Sequence, residues 1–475
     1  MNIAKTIAKN TLVLMVANVM EKGLALVLAV FIARFLGDVG FGRYAFAFSF
    51  VLIFSVFSDL GLGTLTTREV ARDKSKTNEY LSNIFFLKVA MSSICFFIIV
   101  LSINLLNYPY TTRLAVYIAG ASVILNSLAD FFRSIFRAYE VMEYEALTKI
   151  IRRTIVVGLG LGVLFFRQGL IELMCVFLIG AIFDIFLCYM IVLKKIITPK
   201  LKISVVFWRG AIKTALPLGL TAIFMSLYFR FDTVMLSIIK GDAAVGWYNV
   251  SYKIIEALMS VPSLFMISVF PVLSRFYITS KQSLKNTYER SFKLLFLLAF
   301  PMGIGTTILA ERLIISIFSE EYFNSIVVLK IQIWAFLFIS LNILLINVIN
   351  SIDKQKYNTY ITATCLIANI ILNIILIPKW SYIGAGIASL ITHGINFIFA
   401  YYFMSKFLYR IPLLKLVAKP VISGISMGIF IYCFRDINLF ILVLVGAIVY
   451  FAILICIGGV SKDDINLIKK IIKPR

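Results

Sequence analysis

Ionisable side chains recur inside long apolar runs of this chain: Glu21, Lys22, Asp59, Lys88, Asp130, Arg133, Arg137, Asp184, Arg230, Asp232, Lys253, Glu256 and Lys330. A charge held in hydrocarbon costs at least about 2.5–3.5 kcal/mol, so such groups pair with one another, face water or handle substrate. Asp130, Arg133 and Arg137 stand at i, i+3 and i+7, on one helical face. Lys253 and Glu256, at i and i+3, can pair within one helix. Arg230 and Asp232, at i and i+2, point to different faces and need partners elsewhere. Cations lining a hydrated cavity would hold an anionic substrate. Lys22, Lys88, Arg133, Arg230 and Lys253 are the candidates. A carboxylate among them would exchange H⁺ or Na⁺, and Glu21, Asp232 and Glu256 are the candidates. The structural alternative is helix-to-helix pairing plus snorkelling near span ends, which suits Asp59, Arg137 and Lys330.

These charges sit in a chain of 475 residues, 61% hydrophobic and 15% charged, with a mean hydropathy of +0.98. No soluble core of this length accommodates so much apolar surface. Apolar runs of about 18 residues or more indicate spanning helices, and a β-barrel would show shorter alternating segments. The fold class is therefore an all-α polytopic membrane protein. Fourteen spans are predicted, near 10–35, 43–64, 81–106, 113–137, 150–166, 170–193, 212–238, 246–271, 288–310, 325–349, 358–377, 383–404, 415–434 and 438–458. The six cysteines lie in apolar runs without CxxC spacing and read as small buried hydrophobes. The single histidine, His393, excludes His-cluster chemistry, and no metal or other cofactor is expected beyond the coupling ion. The first run is too long for a cleavable leader and carries Glu21 and Lys22, so it is expected to remain as span 1.

The net charge of +23 does not imply nucleic acid. With the N-terminus placed inside and cations near span ends counted with the adjoining loop, 31 Lys and Arg belong to inside segments, Lys149, Arg152 and Arg153 among them, 8 to outside segments and 7 to the spans. That asymmetry favours both termini in the cytoplasm of a cell-membrane protein. All loops are short. The segment 196–211, with lysines beside Val205, Val206, Phe207 and Trp208, reads as an interfacial linker.

The halves repeat. GDVGFGRY at 37–44 matches GDAAVGWY at 241–248 at an offset of 204. A weaker echo pairs Arg137–Tyr144 with Asn350–Tyr357 at an offset of 213. A same-orientation repeat of six spans predicts two pseudo-symmetric lobes. Their expected bounds are 1–195 and 212–405, with the linker 196–211 between them and a helix pair with basic tail at 406–475. In the repeated turn Asp suits a helix N-cap, Gly relieves the reversal, and Tyr44 and Tyr248 suit a membrane interface. The turn reads as scaffold. The charges beside its second copy are not repeated: Lys253 matches Ser49, and Glu256 matches Leu52. Pro217, Pro262, Pro271 and Pro301 mark spans 7 to 9 as the region expected to bend.

The run RFLGDVGFGRY (34–44), SDLGLGTLTTREVAR (58–72), RFDTVML with GDAAVGWYNVSYK (230–253), and LIPKWSYIGAGIASL (376–390) resembles the polysaccharide and oligosaccharide flippases. These form a branch of the multidrug/oligosaccharidyl-lipid/polysaccharide exporter superfamily. The resemblance covers most of the chain in order. It implies two six-helix bundles in a V shape plus a C-terminal helix pair, alternating access, and no enzymatic activity. It implies movement of a polyprenyl-phosphate- or pyrophosphate-linked oligosaccharide to the outer leaflet through a cationic cavity, with H⁺ or Na⁺ coupling. Arg230, Asp232 and Lys253 fall in its motifs; Glu21 and Lys22 match loosely. The expected partners are the lipid-linked oligosaccharide and membrane lipids, with the chain acting as a monomer. Three alternatives stay open. One is a cation-coupled drug or metabolite exporter, which the excess of buried cations opposes. Another is a membrane glycosyltransferase or polysaccharide polymerase, which the short outside loops oppose. The last is a membrane scaffold in which every buried charge is a structural pair.

Overall fold

A computed structural model describes residues 3–198 and 203–459; side chains are described from residue 13 onward, except those at 199–202, 218 and 460–475. Every regular element among them is helical. The first seven helices are α1 (Ile3–Ser55), α2 (Leu62–Arg72), α3 (Thr77–Leu105), α4 (Tyr110–Ala138), α5 (Met142–Phe165), α6 (Leu170–Lys195) and α7 (Val205–Lys240). They are followed by α8 (Asp242–Leu258), α9 (Ser260–Thr279), α10 (Lys281–Ile317), α11 (Ser325–Ser351), α12 (Gln355–Phe407), α13 (Leu413–Cys433) and α14 (Leu439–Cys456).

Eleven helical stretches among the described residues are long and apolar enough to cross a membrane. Two of them bend sharply, α1 at Gly37 and α12 at Ser381, so each supplies two spans. The 24-residue α5 supplies another, about 36 Å long at 1.5 Å per residue. It carries too many charges to pass a hydropathy threshold. The expected span 8 is α8 followed by α9, broken at Met259. Pro262 lies at the third position of α9, where its missing N–H costs no helical bond.

The repeat is visible in the backbone. Gly37 has φ 69° and ψ −177°; Gly241 has φ 85° and ψ −176°. Both use the left-handed region that glycine enters freely. The second echo also holds. Glu140 and Asp353 have φ 59° and 58°. Val141 N–H donates to Phe136 C=O at 3.0 Å, and Lys354 N–H to Ile349 C=O at 3.1 Å. Each closes its helix with the same six-residue bond.

The chain forms two compact units, residues 1–249 and 250–475. In the first, α1 packs on α4, α5 and α7, and α4 on α6. A Cβ on Gly42 would strike the Asp242 carbonyl, and one on Gly246 would strike the Asp38 carbonyl. The two copies of the turn thus rest on each other reciprocally. Arg43 Nε donates to Asp242 Oδ2 at 2.9 Å beside them. Asp242 therefore binds an arginine, not the helix terminus that its N-cap reading implied. Tyr248 is buried, not interfacial, and its hydroxyl donates to Asp232 Oδ2 at 2.9 Å. Tyr44 packs in tilted ring contacts with Phe41, Phe48 and Phe177. The described part of the linker exposes Ile203, Val205 and Val206, and its last residues already belong to α7.

In the second unit α11 packs on α10 and α12, α13 on α10, and α14 on α13. Gly424 and Gly428 let α13 close onto Phe300 and Ile304 of α10. His393 is buried in α12. Cys433 and Cys456 are exposed and Cys175 is half-buried, which corrects the reading of all six cysteines as buried. An apolar surface is no penalty where lipid replaces water.

Candidate functional site

The charges of the first unit converge on one cavity of about 570 Å³ between α1, α2, α3, α4 and α5. Five cations line it, Lys88, Arg133, Arg137, Lys149 and Arg152, against three carboxylates, Glu21, Asp59 and Asp130. Sequence dictates this convergence. Asn126, Ser127, Asp130, Arg133 and Arg137 make a polar stripe down α4. Glu145, Lys149 and Arg152, at i, i+4 and i+7, make a matching stripe on α5. Two polar stripes in an apolar bundle have no cheaper place than facing one cavity.

Each cation is held by a carboxylate. Arg133, 2% exposed, uses its whole fork. Nη1 donates to Asp130 at 2.7 Å, Nη2 to Asp184 at 2.5 Å, and Nε to the Thr148 hydroxyl at 3.1 Å. Asp184, on α6, is fully buried behind the cavity wall. Its second oxygen lies 3.6 Å from Arg152 Nε. Arg152 donates from Nη2 to Glu21 at 2.7 Å and from Nη1 to Asn126 Oδ1 at 3.3 Å. Arg137 and Lys149 share Glu145 Oε1 at 3.0 and 2.9 Å. Lys88, 1% exposed, donates to Asp59 at 2.5 Å. Asp59 also accepts from Gly61 N–H at 3.2 Å and Gly63 N–H at 3.3 Å, capping α2.

The cavity is cation-rich because two carboxylates, Asp184 and Glu145, stand behind its wall while the cations they hold face inward. Such a surface can bind an anion bidentately through guanidinium groups.

Of the residues singled out from sequence, Glu21, Lys88 and Arg133 line this cavity. Lys22 does not, and its side chain is exposed. It is next to Glu21, and one helical step of about 100° turns it away. Arg230 and Asp232 lie on α7 outside the lining, with Asp232 buried and bonded to Tyr248. Lys253 and Glu256 pair at 2.8 Å on α8 in the second unit, as their spacing predicts. Asp59 and Arg137, read as structural, line the cavity as well as pairing. Lys149, Arg152 and Arg153, counted with an inside segment on sequence, lie within α5, and Lys149 and Arg152 reach the cavity. Their signal was the Glu145–Lys149–Arg152 spacing, hidden because span 5 was drawn from hydropathy alone.

The sequence profile of the family described as polysaccharide biosynthesis protein matches residues 7–277, more than half of the chain. The chain belongs to this family. A second profile, MatE, matches residues 217–375. A probable low-salt glycan biosynthesis flippase of Haloferax volcanii is 22% identical, covering 94% of each chain. An uncharacterised membrane protein of Methanocaldococcus jannaschii is 24% identical over 82% of this chain and 95% of its own. Among solved structures, the lipid II flippase MurJ in an inward closed conformation superposes with a TM-score of 0.78 at 19% identity, covering 92% of this chain and 97% of that one. An inward-facing multidrug resistance transporter of the MATE family gives 0.67 at 15% identity, covering 81% and 95%. The family member described here is accordingly a multi-pass membrane protein with the fold of these transporters.

Proposed function

We propose that the protein flips a lipid-linked oligosaccharide from the cytoplasmic to the outer leaflet by alternating access. The cation-lined cavity of the first unit, with Arg133 and Arg152 backed by the buried Asp184, carries this reading. The phosphate of a polyprenyl phosphate or pyrophosphate headgroup would lie against Lys88, Arg133, Arg137, Lys149 and Arg152, while the lipid tail stays in the bilayer. An acidic or apolar cavity would suit a cationic drug; this lining has more cations than carboxylates.

The reading extends to parts outside this cavity. Arg230 and Lys253 are proposed to contact the substrate, and Glu21, Asp232 or Glu256 to take the coupling H⁺ or Na⁺. The termini are proposed to face the cytoplasm of a cell membrane, with repeat lobes at 1–195 and 212–405 in a chain that acts as a monomer. A helix pair with a basic tail, 406–475, is proposed to follow them as a separate part. Support for orientation is the Lys and Arg asymmetry of the loops. Support for the lobes is the matched backbone at Gly37 and Gly241, and at Glu140 and Asp353.

The experiment is reconstitution in proteoliposomes with a fluorescent polyprenyl-pyrophosphate-linked sugar, scored by protection of the sugar from an external reagent. The parent protein is expected to move it, faster under an imposed cation gradient. Absence of movement for lipid-linked sugars, with export of a cationic dye, would instead support the drug-exporter reading.

A further inference from the structure

We propose that Glu21 is an internal stand-in for the substrate phosphate, occupying its place on two arginines until the headgroup displaces it. The proposal rests on the assignment of the cavity to the headgroup. One oxygen of Glu21, on α1, meets Arg152 Nη2 at 2.7 Å and Arg153 Nη2 at 3.5 Å, both on α5. A single anionic oxygen between two guanidinium groups is how a phosphate oxygen is held.

The carboxylates of the site differ in whether they can leave. Asp184 is fully buried and faces no open space. Asp59 is tied to two backbone N–H groups as well as to Lys88. Asp130 grips Arg133 from one turn away on the same helix. Glu21 lines the cavity, its side chain is 19% exposed, and its partners lie on a different helix. It can rotate aside without loss of a helix cap or a backbone bond, giving up only its two arginine contacts. Arg152 then stays aimed at the cavity, because Asp184 and Asn126 hold it from behind and from the side.

Displacement has two consequences of opposite sign. Binding is weakened, because the phosphate competes with an intramolecular carboxylate. The ion pairs between α1 and α5 are released at the moment of binding, leaving their apolar packing, and this loosening connects substrate arrival to movement of α1. Removing the Glu21 charge therefore strengthens binding and slows turnover. A residue that merely contacts substrate gives weaker binding when removed, and a merely structural pair gives no gain.

The test titrates geranylgeranyl diphosphate against the full-length protein in nanodiscs, for the parent, Glu21→Gln, Glu21→Asp and Arg152→Gln. Glu21→Gln is expected to bind about tenfold more tightly, a change equivalent to about 1.4 kcal/mol, and to show lower KM with lower turnover in the flipping assay. Glu21→Asp is expected to fall between it and the parent, which keeps the test decisive if Glu21→Gln does not fold. Sodium pyrophosphate is expected to raise the Tm of Glu21→Gln more than that of the parent. Binding by the parent that Arg152→Gln weakens tenfold, with no gain in either Glu21 variant, overturns the stand-in and leaves the cavity assignment standing. Absence of binding in parent and variants alike overturns the cavity assignment and the stand-in together.

Discussion

Arg133 is kept charged at membrane depth by three acceptors from three helices, Asp130, Thr148 and Asp184. Removing one member of a buried charge pair leaves the other uncompensated, at a cost of about 3–5 kcal/mol. Arg133→Ala is expected to lose that much stability in chemical denaturation, together with all headgroup transport. Arg133→Lys is not expected to rescue either, because an ammonium cannot serve three acceptors in a fixed fork. Unfolding curves that overlay those of the parent would contradict the pairing. Lys22→Gln, by contrast, alters an exposed side chain outside the cavity. Flipping by that variant is expected to stay within about twofold of the parent, the range of surface substitutions. Residue types read from sequence found Lys88, Arg133 and Glu21. They did not pair Arg133 with Asp184 or Glu21 with Arg152, because these partners are separated by 51 and 131 residues. Only tertiary packing decides which charges meet.

At the scale of elements, the repeated turn is where sequence and structure agree on position and differ on cause. The sequence locates both copies, and glycine at 37 and 241 supplies the left-handed backbone. The second repeated glycine has a different origin: Gly42 and Gly246 are contact points against the backbone of the opposite copy. Gly42→Ala and Gly246→Ala are each expected to lower Tm by several degrees. Their effects should be less than additive in the double variant, since the two contacts share one interface. Fully additive shifts in thermal unfolding would contradict the reciprocal contact. The α5 helix shows why the site itself was harder to read. A helix that lines a cavity needs charges, and those charges lower the hydropathy by which spans are recognised. Lys149, Arg152 and Arg153, at the start of the span predicted at 150–166, are accordingly counted with the inside segment before it, although three of 31 cations make little difference to the orientation argument.

Over the whole molecule, hydropathy was sufficient for an all-α chain; among the described residues eleven helical stretches are long and apolar enough to cross a membrane, and two of them bend so that each supplies two segments. The predicted orientation can be checked in cells with a membrane-impermeant thiol reagent, on a chain whose native cysteines are replaced. Asp73→Cys is expected to label only after the membrane is opened, and Lys240→Cys in intact cells. The reverse pattern would invert the topology. The central claim is that the first-unit cavity carries the anionic headgroup of a lipid-linked glycan. Its most direct measurement is the rate of flipping of a fluorescent polyprenyl-pyrophosphate-linked sugar in proteoliposomes, comparing the parent with Arg152→Gln at matched protein incorporation. Robust movement by the parent and a loss of at least about tenfold in the variant is the predicted result; equal rates in the two would contradict it.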